Sequence, residues 1–321
     1  MMKRKTWIDR LRGFCMLAIL FDHTEIYYTG DNIVPYNFYV MNVLLLFFFL
    51  SGYLCFKKEN LSWRKKLTTI FRTMLVPYLF FTTIIALPKA LVHGYDITDT
   101  FLRILEGRAS WFIATLMVAE SLFVLAMWIS KENRWIMACL SLVSMGGCLV
   151  FSKDYPDLYW QLENVLMALP VLHLGYLYHQ HEAFFHPIHK LSSTFFLSLF
   201  IIFIKVYEVN IGANLLIEPI AVSHWAVFCI DFLVTTLCLV GVAKQLPRLP
   251  FLEWVGSHSL VYYFLSGGIP LTVSLLLTKI GFPYEGTYYH VCLAFFIVSI
   301  LTSALTFYIY KYAPFLVGKF R

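Results

Sequence analysis

Apolar runs of about twenty residues recur from one end of this 321-residue chain to the other, and each is long enough to carry an α-helix across a ~30 Å hydrocarbon core. Backbone polar groups find no water in that core, so only helices and closed barrels can span it. The runs are continuous and do not alternate with period two, which excludes a barrel. They fall at 9–29, 34–56, 69–92, 109–130, 134–152, 159–179, 190–208, 223–243, 252–278 and 287–313. Composition agrees. Of the residues, 60% are hydrophobic and 14% charged, with a mean hydropathy of +0.71, where a soluble domain carries about 25% charged residues. The expected fold is all-α: a polytopic transmembrane helical bundle of about ten spans, forming one integral membrane domain over 1–321.

Charge sets the expected orientation. Most of the 25 Lys and Arg cluster at alternate ends of the runs, among them Lys3, Arg4, Lys5, Lys57, Lys58, Arg64, Lys65, Lys66, Lys131, Arg134, Lys244 and Arg248. The positive-inside rule then puts both termini in the cytoplasm. The same asymmetry accounts for the net charge of +6 without a nucleic-acid partner. The start resembles a signal peptide. It lacks a small-x-small cleavage site, carries Asp22, His23 and Glu25, and leads into another apolar run, so it is expected to stay. The seven cysteines lie in or beside apolar runs with no CxxC pair, which reads as buried packing rather than a disulfide framework. Gly267, Gly268 and Pro270 are expected to interrupt the ninth run, Pro77 the third and Pro170 the sixth.

Ionisable groups inside a membrane are costly and mark functional positions by default. Here they are Asp22, His23, Glu25, Arg72, Glu120, Glu163, His173 and Asp231. Arg12 and His23 are eleven residues apart. On an α-helix that is three turns plus ~20°, with a rise of ~16 Å, so they share a face at two depths. Asp9 shares it too. A histidine there can act as general base on a hydroxyl. The arginine can hold an anion, most simply the phosphates of a cytosolic cofactor. Acetyl-CoA fits: phosphates at the basic rim, a descending pantetheine arm, and the thioester near His23. Asp22 and Glu25 point ~100° and ~200° away from His23, so an orienter must come from another span, with Glu120 the candidate. A proton-coupled transporter or exporter using His23, Asp22 and Glu25 as a relay is the alternative, and a non-catalytic envelope partner a third. His179, His181, His186 and His189 are read as a solvated loop, with no metal expected.

Several short elements together resemble the acyltransferase-3 family of integral membrane O-acyltransferases. Arg12, ten intervening residues and His23 match its first-span signature, within Leu11-Arg12-Gly13. Phe47-Phe48-Phe49-Leu50-Ser51-Gly52 is similar to its Phe-Phe-x-x-Ser-Gly element. Arg72 with Val76-Pro77-Tyr78, Ser110-Trp111-Phe112, and Gly256-Ser257-His258-Ser259-Leu260-Val261-Tyr262-Tyr263 extend the likeness over essentially the whole chain. The resemblance implies transfer of an acyl group, expected to be acetyl, from acyl-CoA to a hydroxyl of a surface glycan or lipid-linked sugar. The form it resembles is the stand-alone one, expected in a bacterial cytoplasmic membrane. His23 is then the catalytic residue, and Arg12, Arg72 and Ser51 serve the donor. Trp111 and Glu120 serve the acceptor. Arg72 reads equally as a topogenic charge, and Trp111 as an interfacial anchor. Ser266 stands where the family usually has histidine, with His258 nearby.

Overall fold

The computed structural model describes residues 5–56, 62–154 and 158–319. Lys3, Arg4, Lys57 and Lys58, counted above among the inner charges, lie outside the described residues. Among the described residues fourteen α-helices follow in order. The first six are α1 (Thr6–Thr29), α2 (Tyr36–Cys55), α3 (Trp63–Ile70), α4 (Val76–His93), α5 (Ile97–Leu105) and α6 (Trp111–Ile129). Next come α7 (Arg134–Asp154), α8 (Leu162–Gln180), α9 (Leu191–Asn210) and α10 (Trp225–Gln245). The last are α11 (Pro250–Ser257), α12 (Ser259–Ser266), α13 (Ile269–Lys279) and α14 (Tyr288–Tyr312). Between α9 and α10 a small antiparallel hairpin pairs β1 (Leu215–Ile217) with β2 (Ile220–Val222).

The chain is a multi-pass helical membrane protein. Among the described residues seven helices are long and apolar enough to span, namely α2, the continuous Trp63–Pro88, α6, α7, α9, α10 and α14. The pair α12 and α13, bent by 46°, is an eighth if taken as one broken span. The remaining expected runs became α1 and α8. These are full-length helices whose polar content sets them apart: Asp9, Arg10, Arg12, Asp22 and Glu25 in α1, and Glu163, Asn164, His173 and His179 in α8.

The expected breaks resolve differently. Gly267 and Gly268 do separate α12 from α13. Pro170 leaves α8 helical from Leu162 to Gln180, since a proline removes one hydrogen bond that neighbouring helices can compensate. Pro77 lies in the first turn of α4, where the helix runs on from a π-turn. The irregularity lies just before it, a π-turn at Phe71–Leu75.

Contacts divide the chain into two compact units, one of 1–44 and 242–321, the other of 45–241. In the first, α1 packs against α11, α12, α13 and α14. Its crossing with α11 depends on two glycines. A Cβ on Gly13 would fall inside the Leu252 carbonyl, and one on Gly256 inside the Asp9 carbonyl. Each glycine therefore admits the other helix's backbone. Buried Arg10 locks the crossing, donating to Glu253 at 2.9 Å and to the Ala243 carbonyl at 3.1 Å. Further along α1, Ser274 donates to the Tyr27 carbonyl and Tyr28 to the Phe282 carbonyl.

In the second unit α8 packs on α6 and α7. It crosses α2 by the same device: Gly52 faces the Leu172 carbonyl and Gly175 the Phe49 carbonyl. Tyr78 donates to the Ile104 carbonyl and the Trp160 N–H to the Glu106 carbonyl, which ties α4, α5 and the start of α8 together. Between α9 and α10, Lys205 is buried against Glu208 and Asp231 at 3.1 and 2.8 Å.

Candidate functional site

Helix α1 runs unbroken from Thr6 to Thr29 and carries both Arg12 and His23, each half-buried. The His23 ring stacks near Tyr27, with centroids 6.2 Å apart and planes at 20°. Beside it Asp22 is buried at 5% exposure, and its Oδ1 has no hydrogen-bond partner among the described residues. Tyr39 of α2 lies within electrostatic reach of Asp22, Glu25 and Tyr288. The His23 end of α1 is therefore a polar enclave lined by hydroxyls and carboxyls.

Glu25 is fully buried and has structural work. It accepts from Tyr288 of α14 at 2.6 Å and from the Val34 N–H at 2.9 Å. It thereby holds the α1–α2 connection to α14. A carboxylate so engaged is a poor member of a mobile proton relay. Cys15 is fully buried, which disfavours it as an acyl carrier.

In the other unit the candidate residues regroup. Ser51 donates to the Glu120 carboxylate, and the second Glu120 oxygen pairs with Lys66 of α3 at 3.2 Å. Ser51, expected on the donor side, and Glu120, expected at the acceptor, thus form one buried unit with a cation reaching in from α3. Lys66 was visible beforehand only as one charge in a basic loop; its i+3 spacing from Trp63 was the available signal. Trp111 opens α6, packed edge-on against Phe112 at 5.7 Å. Nine residues of helix separate it from Glu120, which is ~13 Å along the axis and half a turn around it. Arg72 lies on the π-turn with its side chain exposed. A single π-turn shifts the helix face, and such insertions recur at functional sites.

The late motif is mostly scaffold. His258 caps α12, its Nδ1 bonded to the Trp254 carbonyl at 2.7 Å and its ring against Tyr310 at 4.2 Å. Ser266 is buried and donates to the Tyr263 carbonyl. Tyr262 shares a hydrogen bond of 2.7 Å with Ser303. In the other unit His179 donates to the Tyr53 carbonyl while stacked on the Tyr53 ring at 3.9 Å, and His189 bonds Tyr178. Among the described residues no three His, Cys, Asp or Glu are placed to hold a metal ion.

A half-buried imidazole beside a buried carboxyl, on one helix with an arginine ~16 Å away, can take a proton from a hydroxyl while an anion is held at a distance. A family model described as an acyltransferase domain matches residues 5–311. No curated protein and no solved structure matches the chain.

Proposed function

The chain belongs to the acyltransferase-3 family and is a membrane acyltransferase, and on that footing we propose that it is an O-acyltransferase with His23 as general base. The donor in this reading is cytosolic acetyl-CoA, and the acceptor a hydroxyl of a surface glycan or lipid-linked sugar. The membrane is the bacterial cytoplasmic membrane, crossed about ten times with both termini inside. The observation that carries the reading is Arg12 and His23 on one uninterrupted helix. Neutral His23 accepts the acceptor's proton as its oxygen attacks the thioester carbonyl. The C–O bond forms, the C–S bond breaks, and the imidazolium returns the proton to the departing CoA sulfur. Arg12 holds donor phosphates. Among the residues of the other unit, Arg72 and Ser51 are assigned to the donor, and Trp111 and Glu120 to the acceptor.

The deciding experiment uses the purified protein in proteoliposomes with labelled acetyl-CoA and a glycan acceptor. His23→Ala is expected to lose transfer by about 10²–10⁴-fold, the usual cost of a missing general base, while still binding CoA. Transfer by His23→Ala near the wild-type rate would falsify the assignment. A transporter relay would leave acetyl-CoA unconsumed even by the wild type.

A further inference from the structure

Helices α3 and α6 lie side by side, and their shared end holds a cavity of about 690 Å³ lined by Trp63, Val124, Met127, Trp128, Lys131 and Glu132. That volume falls in the ~300–1,000 Å³ range of small-molecule sites. The Trp63 and Trp128 rings meet at 4.7 Å with planes tilted by 34°, and Trp128 is 53% exposed. The Arg64 guanidinium stands over the Trp63 ring at 5.1 Å. Glu132, which takes a hydrogen bond from Tyr176, closes one side. Lys131 and Glu132 both have left-handed backbone, φ 50° and 60°. Non-glycine residues seldom hold that conformation, so the turn that carries Lys131 into the cavity lining is strained.

Glu120, Val124 and Trp128 follow at four-residue spacing along one face of α6, and Trp63 and Lys66 share a face of α3. From Trp128 inward to Glu120 is ~12 Å along the helix. There Lys66 pairs with Glu120, and Glu120 accepts from Ser51. The aromatic cavity and the buried Ser51–Glu120–Lys66 group thus lie along one face of α6. A tryptophan and lysine belt at a membrane interface supplies the same residue types. It has no need of paired rings beside a ligand-sized cavity.

We infer that the α3–α6 cavity binds the adenosine end of the CoA donor, the adenine stacked on Trp128 and its 3′-phosphate on Arg64 and Lys131, with the pantetheine arm directed past Lys66 toward Ser51. This rests on the acyl-CoA reading and deepens it. Every base offers a π-face on which an aromatic side chain can stack. Guanidinium and ammonium groups supply phosphate contacts.

The test compares acetyl-CoA with acetylpantetheine, which lacks the nucleotide, in nanodiscs of phosphatidylcholine. Trp128→Ala should lower the acetyl-CoA to acetylpantetheine ratio of kcat/KM about tenfold or more, and weaken binding of adenosine 3′,5′-bisphosphate alongside. Trp128→Phe, which keeps a ring, should recover most of the ratio. An unchanged ratio, or equal losses for both donors, overturns the proposal. Repeating the assay with phosphatidylglycerol separates the two sources of phosphate. An effect of Trp128→Ala that appears only with the anionic lipid and leaves the bisphosphate bound means a headgroup site, and overturns it. Failure of the wild type to use either thioester would instead sink the acyl-CoA reading itself.

Discussion

Ser51 donates its hydroxyl to the carboxylate of Glu120, 69 residues further along the chain, and Lys66 completes the group at 3.2 Å. Glu120 is buried and Lys66 only partly so. The carboxylate therefore depends on both neighbours for its charge to be tolerated.

Removing either partner should be felt by the other. In a double-mutant cycle of Glu120→Gln with Lys66→Met, the two changes should be non-additive by about 0.5–3 kcal/mol, as for residues in one ion-pair network. Thermal unfolding in detergent reads this directly. Additivity would mean that the pair contributes nothing as a pair.

Little of this grouping was legible in the sequence, though the helices were. A run of twenty apolar residues favours a long helix whatever it packs against, so most expected runs have one, while the ninth is divided among α11, α12 and α13. Spacing along one helix also fixes which side chains share a face, which is why Arg12 and His23 could be paired in advance. The Ser51–Glu120 bond joins α2 to α6, and no local spacing records which helices become neighbours. The same holds for Arg10, which looks like one more basic residue before Arg12 until Glu253 and the Ala243 carbonyl meet it. The π-turn at Phe71–Leu75 adds one residue to an otherwise helical pattern, and an apolar stretch tolerates that without any change in composition. The hairpin and α5 are short elements whose polar flanks read only as loop.

Two glycines that look alike should respond in opposite ways to alanine. At Gly13 a methyl group would collide with the Leu252 carbonyl, and backbone cannot step aside as a side chain would. Gly13→Ala should destabilise the protein by about 1–3 kcal/mol, the usual cost of overpacking. Gly146 of α7 has nothing within 4 Å of such a methyl. Gly146→Ala should raise stability by up to about 1 kcal/mol through helix propensity alone. Equal effects at the two sites would remove the close-crossing account of α1 and α11.

Orientation decides whether the donor cavity faces the compartment that holds CoA. In a cysteine-free background, His186→Cys is expected to be shielded from an impermeant thiol reagent in intact cells, and Asn210→Cys to be labelled. Both positions are exposed. Labelling of His186→Cys alone would invert the topology and detach the basic loop from any cytosolic donor.

Arg10 and Arg12 stand two residues apart on α1 and should fail in different ways. Arg10 is buried, and its guanidinium joins Glu253 and the Ala243 carbonyl across the α1–α11 crossing. Arg10→Ala leaves Glu253 with Arg248, on an exposed side chain at 3.0 Å, as its remaining cation. The loss removes both contacts that Arg10 makes across the α1–α11 crossing. The Arg10 variant should therefore unfold at lower temperature or fail to accumulate. Arg12 is half-buried on the face it shares with His23, where the proposed donor phosphates lie. Arg12→Ala should fold with nearly unchanged thermal stability and show a raised KM for acetyl-CoA. Arg12→Lys should recover only part, because an ammonium cannot reproduce the bidentate fork of a guanidinium on phosphate. Steady-state kinetics on the three variants, set beside their melting curves, separates the roles. If Arg12→Ala melts early with its KM unchanged, Arg12 is a second anchor of α1 and the donor's phosphates are held by other residues.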